Sequence, residues 1–376
     1  MKLTILFVDD DKNIIQGIKR TLHSFESKWN LLYAYGSAEA INILQQNTID
    51  VIISDIRMPG LDGTELLSYV KNFYPKVMRI TLSGFANEDI AVKNSRIAHQ
   101  SISKPTNIEN LIIILERADK LRQKLNNDEL MQLVNNLDGL PSLPEIYIEL
   151  ENEFKAPILS IDKVSEIILK DPIISAKILQ LTNSAFFGSA NKIISIKQAV
   201  NFLGVKLVQN LVLTIKLFKS FDPDSPFIDY YHKIWEHSNK VANISKQISM
   251  IKNLQKHVVE EAYLAGLLHD IGKLILLEKY KNFKNIDVNK ISELENNYPL
   301  NMFPEVGAYL IGLWGLPDTI IEAIAFQQTE KLLNTNDFQI SKIIYIADYI
   351  TKSLDIDTDN LNENLIDSVI VKLSKN

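Results

Sequence analysis

Three short apolar segments and a fourth, weaker one in the N-terminal third of the chain each end at a polar or charged side chain, and this pattern restricts the fold more than any other feature. The segments are Leu3–Val8, Val51–Ser54, Val77–Leu82 and Ser101–Ser103. The side chains that follow them are those of Asp9, Asp10, Asp55, Ser83 and Lys104. Because parallel strands of an open α/β sheet end along one edge, where ligands bind, we expect these five residues to meet there.

The chemistry of these five side chains favours phosphoryl transfer. Carboxylates gathered at one edge repel each other unless a cation lies among them, and oxygen ligands of this kind suit Mg²⁺. A hydroxyl group and an ammonium group opposite them suit a transferred phosphoryl group. The sequence therefore predicts a site that accepts phosphate on an aspartate, as expected for a signalling protein.

Helices alternate with strands in residues 1–120, which predicts a doubly wound, five-stranded parallel sheet with helices on both faces. The remaining predicted strand is Leu31–Tyr35. The predicted helices are Lys12–Ser24, Ser37–Gln46 with Ser37 as its cap, Thr64–Phe73, Glu88–Lys93 and Ile108–Arg117. Residues 121–137 are predicted to be a helical linker, with a signalling helix or a dimerisation seam as the alternative.

Residues 138–376 show helical periodicity without strand alternation, which predicts an all-α domain. The helices expected there are Ser160–Leu169, Ile173–Leu181, Ile196–Leu203, Val205–Phe218, His232–Met250, His257–Leu277, Pro304–Leu313 and Ile320–Gln327. Pro141, Pro144, Pro157 and Pro172 are placed at helix starts, where the missing N–H group is tolerated.

Residues 3–117 resemble a response-regulator receiver domain. The segments that carry this resemblance are Val8–Asp10, Ser54–Gly63, Leu82–Gly84 and Ser103–Pro105, in the order and spacing of that family. The resemblance implies that Asp55 is the phosphorylated residue and that a histidine kinase or a phosphorelay protein donates the phosphate.

The same resemblance implies the roles of the other site residues. Asp10 and Asp55 would bind Mg²⁺ with support from Asp9, while Lys104 and Ser83 would contact phosphoryl oxygens. Ser101 departs from the family, which usually has an aromatic residue three positions before the lysine, coupled to the movement of the hydroxyl residue.

A second set of polar residues lies in the predicted helical domain. His269 and Asp270 are adjacent in an apolar segment predicted to be one helix, and both need polar partners if they are buried. With His237 and Asp348 they resemble the H…HD…D pattern of the HD phosphohydrolase superfamily. That pattern implies one divalent metal, such as Mn, Fe or Zn, and Lys273 could face a substrate phosphate.

Residues 138–330 resemble, more specifically, the HDOD output domain, a relative of the HD-GYP phosphodiesterases. The segments that carry this resemblance are Leu140–Pro144, Asp171–Pro172, Ala176–Ser184, Leu203–Gly204 and Gly312–Pro317. Phe303 and the Gln327–Gln328 pair occupy positions where an active HD-GYP enzyme has histidines, and the Gly-Tyr-Pro signature is absent.

The resemblance therefore implies a binding or scaffolding module with a protein or nucleotide partner rather than a phosphodiesterase. A metal-dependent phosphohydrolase that uses the four HD residues remains the alternative. A third interpretation is a phosphate sink for a kinase pathway, in which residues 138–376 are dispensable. The other histidines, namely His23, His99, His232 and His257, are expected at the surface or at helix ends.

Composition narrows the function classes further. The net charge of −6 argues against a mainly electrostatic grip on nucleic acid or anionic membrane, and no helix-turn-helix pattern suggests direct DNA binding. The absence of cysteine excludes disulfides, thiolate metal sites and thiol nucleophiles. With no signal peptide and no apolar run long enough to span a bilayer, the expected location is the cytoplasm.

Overall fold

The computed structural model describes most of the chain, and the statements below apply to those residues. They are residues 2–83, 97–104, 108–125, 127–135, 144–156, 159–184, 187, 192–214, 228–280, 302–328, 338–354 and 361–373. The predicted helix Glu88–Lys93, Gly84, Pro141, Pro157 and the end of the predicted helix Val205–Phe218 lie outside them.

The chain divides into two compact units. One consists of Met1–Asp138 together with Leu181–Asn191 and Leu313–Gly315, and the other consists of the remaining residues. Among the described residues, none of the helices combines the length and the apolar character that crossing a membrane requires.

The first unit contains a five-stranded parallel sheet, which confirms the predicted fold class. The strands are β1 (Leu3–Val8), β2 (Trp29–Ala34), β3 (Val51–Asp55), β4 (Met78–Ser83) and β5 (Gln100–Ser103), and their order is β2-β1-β3-β4-β5. The helices are α1 (Lys12–Leu22), α2 (Ser37–Gln46), α3 (Gly63–Phe73), α4 (Ile108–Leu125) and α5 (Asp128–Asn135), with a 3₁₀ turn at His23–Phe25.

The register of the sheet aligns the ends of the central strands. Val8 pairs with Ser54, and Asp55 pairs with Leu82. Asp9, which follows Val8, and Asp55, which follows Ser54, therefore lie at the same level of the sheet edge. Every residue of β3 is buried, as expected for a central strand covered by helices on both faces.

Two local predictions about this unit need correction. Strand β2 begins at Trp29 rather than Leu31, because the buried Trp29 side chain anchors its first residue in the core. Ser37 does not cap α2: Gly36 occupies the cap position with φ of 126°, and the Ser37 hydroxyl donates instead to the Leu61 carbonyl oxygen at 2.7 Å.

Within its described residues, the second unit contains helices and no strand, which confirms the predicted all-α class. The helices that follow α5 are α6 (Pro144–Phe154), α7 (Ile161–Leu169), α8 (Pro172–Thr182), α9 (Ile196–Leu203), α10 (Val205–Thr214), α11 (Ile228–Ile251), α12 (Lys256–Leu268), α13 (Ile271–Tyr280), α14 (Phe303–Leu313), α15 (Asp318–Ala325), α16 (Ile340–Ser353) and α17 (Glu363–Leu373). Pro144 and Pro172 begin helices as predicted.

The prediction of a single helix over His257–Leu277 is wrong. The helix is interrupted at His269–Asp270, which separates α12 from α13. Gly272 packs so tightly on the next segment that an added Cβ would lie 1.9 Å from the Phe303 carbonyl oxygen. The His269 carbonyl accepts a hydrogen bond from Gln327 Nε2 at 2.7 Å. The break therefore has a tertiary origin that apolar periodicity does not reveal.

Candidate functional site

Lys104 connects two of the predicted acidic residues at the carboxyl edge of the sheet. Its Nζ atom lies 2.7 Å from Asp9 Oδ2 and 3.0 Å from Asp55 Oδ1. The Asp9 side chain is almost fully buried, and the Asp55 side chain is largely buried. One ammonium group therefore neutralises part of the charge that two neighbouring carboxylates bring to a site shielded from water.

The backbone fixes both carboxylates in place. Asp55 Oδ1 accepts from the Ile56 amide at 2.9 Å, and Asp9 Oδ1 accepts from the Asp11 amide at 3.0 Å. Asp10 is exposed, and its carboxylate lies within 4.8 Å of those of Asp9 and Asp55. This all-oxygen cluster matches the ligand set that Mg²⁺ prefers, so the residues present fit a magnesium ion.

The charges at this edge compete with burial. Burial raises the pKa of Asp9, although hydrogen bonds from Lys104 and the Asp11 amide and the charge of Lys104 act in the opposite direction. For Lys104, burial lowers the pKa, but hydrogen bonds to Asp9 and Asp55 and their charges outweigh it and raise the pKa overall. Lys104 therefore stays protonated, but its charge does not fully offset the cost of burying the Asp9 carboxylate.

Ser83 is the last residue of β4, one position beyond Leu82, the strand partner of Asp55. It pairs with Ser103, which directly precedes Lys104. The backbone thus brings Ser83, Asp55 and Lys104 to the same edge of the sheet.

Gly63 is a site residue whose role the sequence reasoning missed. A Cβ atom at this position would lie 1.8 Å from the Asp55 carbonyl oxygen, and the Gly63 amide donates to the Ile56 carbonyl at 2.9 Å. A capping box between Asp62 and Glu65 then begins α3. The glycine after a Pro-Gly-Leu-Asp loop is the signal for this close contact between the loop end and the acidic strand end.

Ser101, where the receiver family usually has an aromatic residue, takes part in a different interaction. The Thr81 hydroxyl donates to Ser101 Oγ at 2.8 Å, between positions that pair in the sheet. The polar contact holds β5 to β4 at the position from which an aromatic ring would move.

The four HD residues predicted in the second unit also come together. His237 Nε2 lies 2.8 Å from Asp348 Oδ1 and 3.9 Å from Asp270 Oδ2. His269 Nε2 lies 3.5 Å from Asp270 Oδ1 and 3.8 Å from Asp348 Oδ1. They reach this point from α11, the break between α12 and α13, and α16.

Two polar atoms in this group are buried and lack a hydrogen-bond partner among the described residues. They are His269 Nε2 and Asp270 Oδ1. The other ring nitrogen of His269 is 2.7 Å from the Gly266 carbonyl oxygen, an arrangement that leaves Nε2 as the acceptor when Nδ1 carries the proton. A nitrogen lone pair and a carboxylate oxygen without partners are what a divalent metal would bind, so this donor set fits one.

The electrostatics of this group favour metal-binding protonation states. Burial lowers the pKa of His269, which keeps the imidazole neutral. Burial raises the pKa of Asp270, but its interactions with His269 and with the Lys273 ammonium outweigh burial and lower the pKa to about 2. The pKa of Asp348 also lies below its usual value, because a hydrogen bond with His237 and interactions with His269 and the Lys352 ammonium outweigh burial.

Lysines occupy the remaining oxygens of the two HD carboxylates. Lys273 Nζ lies 2.8 Å from Asp270 Oδ2, and Lys352 Nζ lies 2.7 Å from Asp348 Oδ2. Lys273 also lies over the Phe303 ring at 4.7 Å from its centroid. The sequence reasoning placed Lys273 opposite a substrate phosphate; in the structure it binds the neighbouring carboxylate.

The positions that depart from the HD-GYP pattern have structural roles instead. The Phe303 ring supports Lys273, and the Gln327 side chain donates to the His269 carbonyl. Gln328 is exposed.

His99, expected at the surface or a helix end, is buried: its Nδ1 atom accepts from the Arg79 amide at 2.9 Å. Burial of this polar ring is tolerated because the buried Arg79 supplies a hydrogen-bond partner.

Comparisons with known proteins identify two domain families in this chain. The response regulator receiver domain family matches residues 5–116, and the HDOD domain family matches residues 140–330. An uncharacterized protein of Treponema pallidum (strain Nichols) is 24% identical over 208 residues, covering 52% of this chain and 38% of its own length.

A second curated relative matches a shorter part of this chain. The DNA-binding transcriptional regulator NtrC of Escherichia coli K12 is 31% identical over 134 residues, covering 34% of this chain and 27% of the relative. The chain thus spans well under half the length of these curated relatives. Among solved structures, the MmoQ response regulator of Methylococcus capsulatus is 18% identical, with a TM-score of 0.48, and 62% of this chain and 98% of that chain are covered.

The receiver match spans the sheet with its acidic edge, and the HDOD match covers half of the chain, including His237, His269 and Asp270. The chain belongs to the HDOD domain family, and with its receiver domain it is a two-component response regulator with an output domain.

Proposed function

We propose that Asp55 accepts a phosphoryl group from a histidine kinase or a phosphorelay protein, and that this modification regulates binding by the HDOD domain. The observation that carries the first part is the bridge from Lys104 to both Asp9 and Asp55. A receiver that catalyses transfer to its own aspartate needs a positive charge at this position for the incoming phosphoryl oxygens.

The two oxygens of Asp55 divide the work. Oδ1 interacts with the Ile56 amide and Lys104, which orients the carboxylate and leaves Oδ2 as the nucleophile. Oδ2 forms a bond to phosphorus while the bond from phosphorus to the donor nitrogen breaks, and the donor keeps that electron pair. Asp9, Asp10 and Asp55 would hold Mg²⁺, and the ion would supply charge neutralisation for the phosphoryl oxygens.

The new acyl phosphate changes the charge balance at Lys104. A phosphoryl group adds about 1.5 to 2 negative charges and three acceptor oxygens. We propose that Lys104 turns from Asp9 toward the phosphoryl group, so that Asp9 loses its buried counter-ion and the edge of the sheet rearranges. The Ser83 hydroxyl contributes a further hydrogen bond to the phosphoryl group.

Acetyl phosphate with magnesium tests this part. The intact mass of the purified chain should rise by one phosphoryl group, and Asp55→Asn should abolish the gain. Asp11→Asn, which changes a neighbouring aspartate that caps α1, is the matched control and should keep the gain. An unchanged mass of the wild type, or an equal gain in Asp55→Asn, contradicts the proposal.

For the HDOD domain we propose an interaction module that binds a protein or nucleotide partner when Asp55 is phosphorylated. Two positions that carry histidines in active HD-GYP enzymes make structural contacts here. The Phe303 ring packs against the Lys273 ammonium, and the Gln327 side chain donates to the His269 carbonyl oxygen between α12 and α13. A pull-down with wild type and Asp55→Ala under phosphorylating conditions tests the gating. Recovery of the same partners in the same amounts contradicts it.

A metal-dependent phosphohydrolase is the second candidate, favoured by the unpartnered His269 Nε2 and Asp270 Oδ1 atoms. His237, His269, Asp270 and Asp348 would hold one Mn, Fe or Zn ion. Protein purified without chelator should then contain a stoichiometric metal that His269→Ala removes together with phosphatase turnover. A module that only binds its partner predicts no turnover in either protein.

A further inference from the structure

The two oxygens of Asp270 have unlike surroundings although the side chain is buried. Oδ2 forms an ion pair with Lys273 at 2.8 Å, while Oδ1 has no hydrogen-bond partner among the described residues and lies 3.5 Å from His269 Nε2. One half of the carboxylate thus bears a fixed cation, and the other half faces a ligand-competent imidazole.

Lys273 is held in this position from several sides. Its side chain is only 10% exposed, its ammonium lies over the Phe303 ring, and its backbone amide donates to the Asp270 carbonyl at 2.9 Å. A buried ammonium that gave up Asp270 would lose its ion pair in a medium of low dielectric, which is costly. It therefore stays beside the carboxylate.

Lys352 provides an internal comparison. It forms an equally short ion pair with Asp348, but its side chain is 50% exposed. Water and salt screen the Lys352 charge, whereas the Lys273 charge acts through protein. The two lysines thus form ion pairs of similar length with two carboxylates of the HD group, but we expect unequal electrostatic effects.

We infer that Lys273 is a built-in counter-ion that occupies the side of Asp270 that a second metal would need and weakens the binding of a single divalent cation at Oδ1 and His269 Nε2. A divalent ion at that point would lie within a few ångströms of the ammonium and would be repelled by it. The inference deepens the metal site named above for the second candidate function and does not depend on phosphorylation of Asp55.

Manganese binding tests this inference in full-length protein that carries Asp10→Ala, which weakens the acidic cluster of the receiver as a competing site. Equilibrium dialysis with Mn²⁺ would compare three chains: the background, Lys273→Met and Lys352→Met. Methionine keeps an unbranched side chain that can pack on Phe303 while it removes the charge. We expect at most one ion in the background, a Kd lower by about tenfold or more in Lys273→Met, and a smaller change in Lys352→Met.

Thermal unfolding gives a second readout that does not involve activity. Without metal, Lys273→Met should melt at a lower temperature than the background, because Asp270 becomes a buried charge without its cation. Mn²⁺ should then raise the melting temperature more in Lys273→Met than in the background, because a ligand stabilises the folded state that it binds. If Lys273→Met does not fold, Phe303→Leu, which removes the ring under the ammonium, should also lower the Kd.

The outcomes separate the two proposals. Equal affinity in the background and Lys273→Met, or weaker binding in the variant, overturns the role of Lys273 and leaves the metal site intact. No manganese binding in the background, in Lys273→Met or in Phe303→Leu overturns both the counter-ion and the metal site. Phosphorylation of Asp55 is unaffected by either result.

Discussion

Arg79 donates a hydrogen bond from Nη2 to the Asn135 carbonyl oxygen at 2.7 Å, and so connects β4 of the receiver sheet to the end of α5. The Asn135 side chain donates a hydrogen bond to the Lys76 carbonyl oxygen at 2.9 Å. Arg122 and Asp128 add ion pairs with Asp50 and Lys76. The described part of the predicted linker, residues 121–125 and 127–135, is therefore attached to the receiver by polar contacts.

Removal of the Arg79 guanidinium should destabilise the receiver. Arg79 is buried, and Arg79→Met would take donors away from the carbonyls of Ile97, Val77 and Asn135. We expect the free energy of unfolding to fall by about 3 kcal/mol or more, measured by urea denaturation. Arg20→Met, at an exposed position of α1, is the control and should change it by under about 0.5 kcal/mol.

Gly63→Ala should disrupt the backbone next to Asp55, the proposed phosphorylation site. The new methyl group would lie 1.8 Å from the Asp55 carbonyl oxygen, so the loop or the strand end must move. We expect a loss of about 3 kcal/mol in stability and a slower gain of mass with acetyl phosphate. Gly17→Ala has no atom within 4 Å of the new Cβ and should stabilise α1 by about 0.5–1 kcal/mol. Equal behaviour of the two variants would contradict this account.

The pH dependence of stability should report Asp50. Burial raises the pKa of Asp50, despite a hydrogen bond from the Thr4 amide and the charge of Arg122. A raised pKa in the folded state means that the bound proton stabilises the fold at low pH and that this contribution disappears as the pH rises through the folded pKa. Asp50→Asn should therefore gain stability relative to wild type as the pH rises from about 3 to 6.

Asp128→Asn gives the opposite sign for comparison with Asp50→Asn. A hydrogen bond and the charge of Lys76 lower the pKa of Asp128, so the carboxylate stabilises the fold above its unfolded pKa and loses this effect as the pH falls. The variant should lose stability relative to wild type as the pH rises, and only weakly, because the side chain is exposed. Urea denaturation at a series of pH values measures both differences, and parallel curves for the two variants would refute the assignment.

Gly272→Ala should push the start of α13 away from the Phe303 backbone in the HDOD domain. The added methyl group would lie 1.9 Å from the Phe303 carbonyl oxygen, and the other nearest atoms, Phe303 C and Gly307 N, are also backbone atoms. We expect a loss of about 3 kcal/mol in the stability of this unit, measured by urea denaturation. An unfolding curve that matches wild type would show that the contact can relax without cost.

Much of the receiver could be predicted from the sequence because its signals are local. An apolar run predicts a buried strand, and parallel strands carry the residue after each run to the same edge, so Asp9, Asp55 and Lys104 meet without further information. Strand β1 matches its predicted bounds, and the other strands differ by one or two residues at their ends.

The sequence by itself determined which residues are candidates for the chemistry, because residue type and spacing along strands and helices are local properties. The tertiary structure alone decided how those residues are held: the break at His269–Asp270, the attachment of Asn135 to Arg79, and the cation beside Asp270. These features depend on backbone atoms and packing between segments far apart in the chain, such as the 56 residues that separate Arg79 from Asn135. Periodicity in the sequence reports local structure and does not predict such long-range contacts.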